Sequence, residues 1–270
     1  MVSDDSVTVW VVVGASKGIG AALVGQVLED KGTVVFACAR QPSLSKPLTQ
    51  LKSKCEERLH LITLDVTDEK SAEAAAKAIQ DASATIDVLV NNAAIFESMI
   101  IATRDQKPGQ MLDLMKTNAV GAHLTTRAFL PLLERGSMKT VVNMSSLAGS
   151  TRTYADMIDP KVDVPHKAFS KVQGAYRATK AALNSLTVSW ALDVTPDTGF
   201  KFIALHPGIV KTEASYALIG EHGLNLDDFE GVAELLTPAE SASALVKVIS
   251  NLQPEDSGKF LDYKGNELPF

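Results

Sequence analysis

Residues 7–20 read VTVWVVVGASKGIG, a mostly apolar run that leads directly into a cluster of glycines. A run such as 7–13 is typical of a strand that is buried on both faces of a parallel sheet. Glycines after the run allow a tight turn, and we expect a helix to follow through about Lys31. The stretch therefore predicts a strand, a glycine turn and a helix, which is the opening unit of many α/β folds.

The same alternation of short β-rich runs and longer helical patterns continues along the chain. Further strands are predicted at 33–39, 59–66, 86–93, 138–146, 200–208 and, from a weaker pattern, 258–263. Further helices are predicted at about 68–82, 109–134, 176–193 and 238–251. Because strand and helix alternate, we expect right-handed crossovers and a doubly wound α/β fold. Its mainly parallel sheet would have about seven strands, with helices on both faces.

Two connections are longer than a compact α/β fold needs. One lies at about 150–174, before the helix at 176–193, and the other lies at about 213–236, after the sixth strand. Both leave strands at the carboxyl edge of the sheet, where ligands bind in open α/β folds. We therefore expect one domain, 1–270, in which these two segments form the substrate pocket.

Composition argues against several classes of protein. The formal net charge of −6 argues against a nucleic-acid binder that neutralises phosphates. The apolar runs of the chain are too short to cross a bilayer. The first run also lacks the basic flank and the small-residue cleavage site of a signal peptide. Two cysteines, Cys38 and Cys55, are too few for a disulfide framework or a metal cluster. We therefore expect no metal, no membrane association and a cytoplasmic location.

Gly14, Gly18 and Gly20 give the spacing GxxxGxG between the first strand and the first helix. Small residues there let the backbone approach a pyrophosphate, whose charge the amino terminus of the helix stabilises. A tight turn without a ligand would use the same glycines. The spacing by itself leaves both interpretations open.

The end of the second strand favours one dinucleotide over the other. Folds that bind NAD place an acidic residue there, whereas folds that bind NADP place an arginine nearby. This strand ends in ACAR, with Arg40 and no carboxylate, and Lys17 adds a positive charge within the glycine turn. Both cations could instead be solvated surface residues. Their joint position nevertheless predicts NADP(H), whose extra phosphate would form charge-assisted hydrogen bonds with them.

Seven short motifs make the chain resemble the short-chain dehydrogenases/reductases, which have a Rossmann fold. The motifs occur in the order of that family, along nearly the whole chain: GASKGIG, LDVTD, NNAA, KTNAVG, VVNMSS, YRATK and HPGIVKT. Within the family, YRATKAALN, HPGIVKTE and the ending GKFLDYKGNELPF are similar to the branch of Sniffer-type carbonyl reductases and C-signal-like proteins. Fungal ketoreductases of polyketide pathways are similar as well.

The resemblance implies four catalytic residues: Asn118, Ser146, Tyr176 and Lys180, with Ser145 as the alternative serine. It also implies cofactor contacts, with Asp65 at the adenine ring, Asn91 beside the cofactor, and Pro207, Gly208 and Thr212 at the nicotinamide. The complete predicted cofactor set is Gly14, Ser16, Lys17, Gly18, Ile19, Gly20, Arg40, Asp65, Val66, Asn92, Ala93, Tyr176, Lys180, Pro207, Gly208, Val210 and Thr212.

The sequence departs from the family pattern in three ways. Val13 stands where a threonine is usual, so one hydroxyl contact is missing, and Ala94 adds a methyl group where glycine is usual. Ser146 and Tyr176 lie 30 positions apart, which is well beyond the common spacing. The family tolerates insertions between these two residues, so Ser146 and Tyr176 are still expected to be the catalytic serine and tyrosine.

Reduction of a carbonyl needs a hydride at carbon, which the cofactor supplies, and a proton at oxygen. Tyr176 and Lys180 share one helix face at i and i+4, and the lysine charge is expected to lower the tyrosine pKa towards neutrality. Tyr176 would then be the acid for reduction and the base for oxidation. Ser146 would orient the carbonyl, and Asn118 would hold a water that links Lys180 to solvent.

The sequence therefore predicts an NADPH-dependent reductase of a ketone or aldehyde, with reversible alcohol oxidation. The alternatives are a non-catalytic NADP-binding sensor or signalling protein on the same fold and, more weakly, a sugar-nucleotide epimerase. The expected partner is a hydrophobic small-molecule carbonyl or alcohol. A homodimer or homotetramer is possible unless the segment before Tyr176 blocks it. Pocket-lining candidates are Leu147, Met157, Tyr216 and Leu218, whereas His206 is expected to pack at a strand end and His166 to lie on the surface.

Overall fold

A computed structural model of the chain describes residues 7–96, 101–159, 161, 173–194, 198–220, 225–230 and 234–270. Its main sheet has seven strands, all paired in parallel. They are β1 Thr8–Val13, β2 Thr33–Ala39, β3 Leu59–Thr63, β4 Val88–Asn91, β5 Thr140–Met144, β6 Lys201–His206 and β9 Phe260–Asp262. A separate parallel pair is formed by β7 Ile209–Val210 and β8 Leu235–Leu236. The predicted doubly wound fold is confirmed.

The helices between the strands are also near their predicted positions. They are α1 Gly18–Val27, α2 Lys46–Lys52, α3 Glu69–Ala82, α4 Pro108–Met115, α5 Gly121–Leu133, α6 Thr151–Asp156, α7 Gly174–Asp193, α8 Glu213–Gly220 and α9 Pro238–Ser250. A π-helical turn, Lys116–Val120, joins α4 to α5 and interrupts the single helix predicted over 109–134.

The prediction that the first helix continues to about Lys31 is wrong. The helix ends at Val27, and the guanidinium of Arg58 satisfies carbonyl groups of the turn that follows it. Arg58 donates to the carbonyl oxygens of Leu28 at 3.1 Å and Asp30 at 2.8 Å. Carbonyl groups at a helix end need such partners, so the arginine stabilises a stop that the apolar pattern does not reveal.

The strand order β3-β2-β1-β4-β5-β6-β9 places the two halves of the sheet on either side of β1 and β4. Alternate residues of β1 enter different cores, with Trp10 and Val12 packed on the side of α1 and α9. Val11 and Val13 pack on the side of α3 and α5. Burial on both faces explains the continuous apolar runs of the sequence, and it fixes the carboxyl ends of the strands at one edge.

Candidate active site

The glycine turn lies where the strand order reverses, since Val13 at the end of β1 is paired with Asn91 at the end of β4. Such a point is where a doubly wound sheet forms its ligand crevice. The carbonyl oxygen of Ser16, within the turn, accepts a hydrogen bond of 2.6 Å from the Ser45 hydroxyl. This bond ties the turn to the segment that follows β2.

Glycine is required in this turn for close backbone packing. A Cβ atom at Gly14 would lie 2.6 Å from the Cα of Ala93, and Gly14 has a φ of +78°. A Cβ atom at Gly20 would lie 2.2 Å from the Gly14 carbonyl oxygen, which also accepts a hydrogen bond from Asn92 Nδ2 at 3.0 Å. Gly18 has a φ of +57° and begins α1, whose first residues receive no side-chain cap. The first N–H groups of the helix are therefore available to an anion.

The charged candidates for the cofactor site lie beside this turn. Lys17 precedes α1, Arg40 follows β2, and both side chains are exposed. Asp65 Oδ1 accepts hydrogen bonds from the Thr67 amide at 2.9 Å and the Thr67 hydroxyl at 2.7 Å. These bonds hold the pKa of the Asp65 carboxyl below its usual value, with smaller contributions from the charges of Arg40 and Lys116. Asp65 is therefore ionised and fixed in orientation at neutral pH.

The remaining cofactor candidates form the walls around the turn. Val66 is buried, and a Cβ atom at Gly121 would lie 2.9 Å from it, so the loop after β3 packs tightly on α5. Ile19 is half-buried on α1 and packs against the core between that helix and the sheet.

The HPGIVKT segment approaches the glycine turn from the other half of the sheet. A Cβ atom at Gly18 would lie 3.4 Å from Thr212 Cγ2. The carbonyl oxygen of Pro207 accepts a hydrogen bond of 2.8 Å from the buried Ser241 hydroxyl on α9. Gly208 has a φ of +85°, and the buried Val210 lies in β7. The structure thus brings the first and the last predicted cofactor motifs together.

Tyr176 and Lys180 lie one turn apart on α7, and the Lys180 ammonium is 5.8 Å from the centroid of the Tyr176 ring. Lys180 is only 3% exposed, and its Nζ donates a 2.6 Å hydrogen bond to the carbonyl oxygen of Met144 at the end of β5. The lysine therefore connects the helix of Tyr176 to the strand that leads into Ser146.

The two serines after β5 have different partners. Ser145 is buried, and its hydroxyl donates a 2.6 Å hydrogen bond to Asn184 Oδ1 on α7. The Ser146 hydroxyl accepts a hydrogen bond from the Ala148 amide at 3.2 Å and lies close enough to Tyr176 to lower the pKa of the phenol. The structure thus brings Ser146, rather than Ser145, to the tyrosine.

Asn118 lies in the π-helical turn and is buried. Its Oδ1 accepts from the Ile95 amide at 2.8 Å, and its Nδ2 donates to the Ile95 carbonyl oxygen at 2.9 Å. Nδ2 also lies 3.3 Å from the Thr179 hydroxyl on α7. Asn118 therefore joins the segment after β4 to the helix of Tyr176 and Lys180. A π-turn of this kind commonly marks a functional site.

The expectation that Lys180 brings the Tyr176 pKa towards neutrality is wrong for this structure. Burial of the phenol raises the pKa of Tyr176 to about 12, and the hydrogen bond with Ser146 lowers it only in part. Burial also lowers the pKa of Lys180 to about 8. Desolvation is thus the largest cause of the Tyr176 shift, and Lys180 Nζ is directed to the Met144 carbonyl oxygen. At neutral pH Tyr176 is a protonated phenol, and Lys180 is mostly an ammonium.

The residues predicted to line the substrate pocket differ in how far they are buried. Leu147 and Met157 are half-buried on either side of α6, whereas Tyr216 is 37% exposed and donates a 2.8 Å hydrogen bond to Asp227. The structure describes neither the side chain of Leu218 nor His166. Sequence reasoning missed Phe96, whose ring lies edge-on to the Tyr176 ring at 6.3 Å between centroids.

His206 lies at the end of β6, as expected, and its Nδ1 has no hydrogen-bond partner among the described residues. Burial lowers the pKa of His206 to about 4, so the imidazole is neutral at physiological pH. Within the described ranges, no group of three or more His, Cys, Asp or Glu side chains could hold a metal ion.

Comparison with known proteins decides the family. The short chain dehydrogenase family matches residues 8–157 of this chain. The chain belongs to the short-chain dehydrogenase family. An uncharacterized oxidoreductase of Schizosaccharomyces pombe is 35% identical to this short-chain dehydrogenase over 268 residues, covering 97% of this chain and 98% of that protein. The C-signal protein of Myxococcus xanthus is 32% identical over 185 residues, and this match covers 68% of this chain and 93% of that protein.

A solved structure agrees with this assignment. The NADPH-bound carbonyl reductase from chicken fatty liver superposes on this short-chain dehydrogenase with a TM-score of 0.79 and 28% sequence identity. The match covers 98% of this chain and 99% of that chain. The protein is therefore an oxidoreductase that resembles the carbonyl reductases of its family. None of the helices in the described ranges is both long and apolar enough to span a bilayer.

Below the site of this short-chain dehydrogenase lies a buried polar network that the sequence analysis missed. Asn91 Nδ2 donates to Asn143 Oδ1 at 2.9 Å, and Asn143 Nδ2 donates to the Thr187 hydroxyl at 2.9 Å. Asn91 Oδ1 accepts a 2.6 Å hydrogen bond from Thr125 on α5. The side chain of Asn91, expected to border the cofactor, thus links β4 and β5 to two helices. The signal in the sequence was an asparagine at the same register of two adjacent apolar strands.

Proposed function

We propose that this short-chain dehydrogenase is an NADPH-dependent reductase of ketones or aldehydes that also oxidises the corresponding alcohols. The observation that carries this proposal is the grouping of Ser146, Tyr176 and Lys180 at the carboxyl edge of the sheet. A buried lysine and a protonated phenol lie one helix turn apart, and the lysine is bonded to the end of the strand that leads into Ser146, so together they would form a proton-donating group.

The residues present fit NADP(H). The glycine turn leaves no room for a Cβ atom at Gly14 or Gly20, and the uncapped start of α1 suits a pyrophosphate. Lys17 and Arg40 supply two exposed cations for the additional phosphate of NADP. The chicken fatty liver enzyme, which has the same fold, binds NADPH in its structure. When bound, the cofactor supplies or accepts the hydride.

Tyr176 would donate the proton to the carbonyl oxygen during reduction. Its pKa of about 12 keeps it protonated, yet it is a stronger acid than the alcohol that forms, so proton transfer is favourable. Ser146 would hold the carbonyl oxygen by a hydrogen bond as negative charge develops on it. The Lys180 ammonium would stabilise the phenolate left on Tyr176, and Asn118 would keep α7 in place against the segment after β4.

The environment of Tyr176 supports a hydrophobic substrate. Phe96 lies against its ring, and Leu147 follows Ser146 directly. Apolar and aromatic walls with few polar groups are typical of sites for apolar ligands. The cytoplasmic location, the single domain and the oligomeric state remain predictions from the sequence.

Consumption of NADPH tests the proposal directly. Purified protein is mixed with NADPH and with nitrobenzaldehyde, acetophenone or an aliphatic ketone, and the loss of NADPH absorbance is followed. We expect turnover with at least one apolar carbonyl and a slower rate with NADH. Tight binding of NADPH without turnover of any carbonyl would instead support the sensor interpretation.

A further inference from the structure

Ser146 and Tyr176 lie close together in the site although 30 positions separate them in the chain. A catalytic pair must be held within a fraction of an ångström to act together. Long connections adopt many conformations unless other contacts fix them. Ser145 fixes the start of this segment to α7 through Asn184, whose Nδ2 also donates to the Gly149 carbonyl oxygen at 3.3 Å. The part that follows Gly149 therefore needs its own tie to α7.

The helix α6 begins five residues after Ser146, and its Arg152 amide donates a 2.8 Å hydrogen bond to the carbonyl oxygen of Phe270. It has six residues, too few to be stable alone, and none of them is buried. Its amino terminus is fixed by Ser150, whose hydroxyl accepts from the Thr153 amide at 3.1 Å and donates to the Thr153 hydroxyl at 2.7 Å. This cap orients the start of the helix but does not attach its body to α7.

Among the described residues, Tyr154 links α6 to α7 and to the residue just before it. The guanidinium carbon of Arg177 lies 3.9 Å from the centroid of the Tyr154 ring, which is a close cation–π stack. The Tyr154 hydroxyl also lies 3.5 Å from Gln173 Oε1, immediately before α7. Arg177 is the neighbour of Tyr176 in sequence, so the stack reaches the helix beside the proposed proton donor.

We propose that Tyr154 and Arg177 are positioning residues whose stack holds the Ser146 segment against the helix that carries Tyr176. The inference rests on the proposed reductase function. Tyr154 lies eight positions after Ser146, and Arg177 lies one after Tyr176, so the stack joins the two segments that carry the proposed catalytic pair. The stack thereby provides the constraint that a shorter connection between Ser146 and Tyr176 would otherwise provide.

The two phenols are also electrostatically close. Burial is the main reason that the pKa of Tyr176 is raised, and the charge of an ionised Tyr154 adds to the effect. Arg177 in turn opposes the rise that burial causes in the pKa of Tyr154. Tyr154 is therefore a near neighbour of the reacting phenol as well as the partner of Arg177.

Arginine suits this position because its guanidinium is planar and stacks on aromatic rings, whereas a lysine ammonium is compact and strongly hydrated. A cavity of about 310 Å³ borders Arg177, so other side chains fit there without a clash. Tyr154→Phe keeps the ring, while Tyr154→Leu removes it. Arg177→Gln removes the charge, and Arg177→Lys keeps the charge but not the plane.

The test measures kcat and KM for nitrobenzaldehyde with NADPH in these variants and in the double variant Tyr154→Leu/Arg177→Gln. We expect Tyr154→Leu and Arg177→Gln each to lower kcat about fivefold, which is the effect of losing one cation–π stack. The loss in the double variant should be much smaller than the product of the two single losses, because both substitutions remove the same stack. Tyr154→Phe should retain more than half of kcat, Arg177→Lys less, and NADPH affinity should not change.

Arg152→Gln is the matched control, since Arg152 is an exposed arginine on the same helix, paired with Asp156. It should leave kcat unchanged. Additive losses in the double variant, or kcat within twofold of the original in both single variants, would overturn the inference.

Hydrogen exchange over residues 150–156 separates this inference from the proposed function, because it needs no substrate. Exchange there should become faster in Tyr154→Leu and Arg177→Gln but not in Arg152→Gln. If the unaltered protein reduces no carbonyl, the reductase proposal fails, and the exchange result alone decides whether the stack holds α6. Unchanged exchange in both Tyr154→Leu and Arg177→Gln would show that the stack does not hold α6.

Discussion

Gly20 and Gly25 lie on the same helix, α1, but have different surroundings. An alanine Cβ at position 20 would lie 2.2 Å from the Gly14 carbonyl oxygen and 2.7 Å from Asn92 Nδ2. At position 25 the nearest heavy atoms are the δ-carbons of Leu51 at 3.8 Å, an ordinary contact. Gly20→Ala must therefore displace the glycine turn, whereas Gly25→Ala displaces nothing.

The two substitutions should change stability in opposite directions. Alanine in place of glycine stabilises a helix interior by up to about 1 kcal/mol. Overpacking costs about 1–3 kcal/mol, and a backbone oxygen 2.2 Å away puts Gly20 at the upper end of that range. We expect Gly20→Ala to lower the free energy of unfolding by about 1–2 kcal/mol net and Gly25→Ala to raise it slightly.

Urea denaturation and NADPH titration measure the two consequences. Because the displaced turn is the proposed pyrophosphate site, Gly20→Ala should also weaken NADPH binding by about tenfold or more, which corresponds to about 1.4 kcal/mol. Gly25→Ala should bind NADPH as the unaltered protein does. Equal stability and equal NADPH affinity in the two variants would refute the close packing of the turn and its role.

Three other substitutions test separate parts of the site. Arg40→Ala should weaken NADPH binding about tenfold to a hundredfold and leave NADH binding unchanged, the loss of one charge-assisted contact; an unchanged preference refutes the phosphate role. Ser146→Ala should lower kcat about a hundredfold with little loss of stability, whereas Ser145→Ala should mainly destabilise the fold, because it leaves Asn184 without a hydroxyl partner; the reverse pattern would assign the role to Ser145. Burial lowers the pKa of Lys180 from 10.5 to about 8, so the unfolded chain binds more protons between these values and stability should rise with pH there. Urea titrations of Lys180→Met should lack that rise, and an identical rise would contradict it.

The fold could be predicted from the sequence because burial on both faces leaves a simple trace. The residues of β1 and β2 enter two cores, so their sequences are continuously apolar and end where the sheet ends. Gly14 is needed for packing against Ala93 and Gly20 for packing against the Gly14 carbonyl group, and the glycine spacing reflects these needs. The family motifs then identified which polar residues lie at the carboxyl edge.

The partners of those polar residues could not be predicted, because they depend on contacts between distant segments. The Asn91–Asn143 bond joins residues 52 positions apart, and the Arg58 guanidinium reaches back 28 positions to Asp30. The direction of the Tyr176 pKa shift depends on burial as well as on the nearby lysine. Sequence spacing shows that the lysine is near but not how much water the phenol loses.

The central claim is that Tyr176 donates the proton in an NADPH-dependent carbonyl reduction. The most direct measurement compares Tyr176→Phe with the unaltered protein, using NADPH binding and the rate of nitrobenzaldehyde reduction. We predict an NADPH affinity within about twofold and a reduction rate lower by about a hundredfold to ten-thousandfold, the contribution of a positioned acid. A variant that binds NADPH and still reduces the aldehyde at the original rate would contradict the claim.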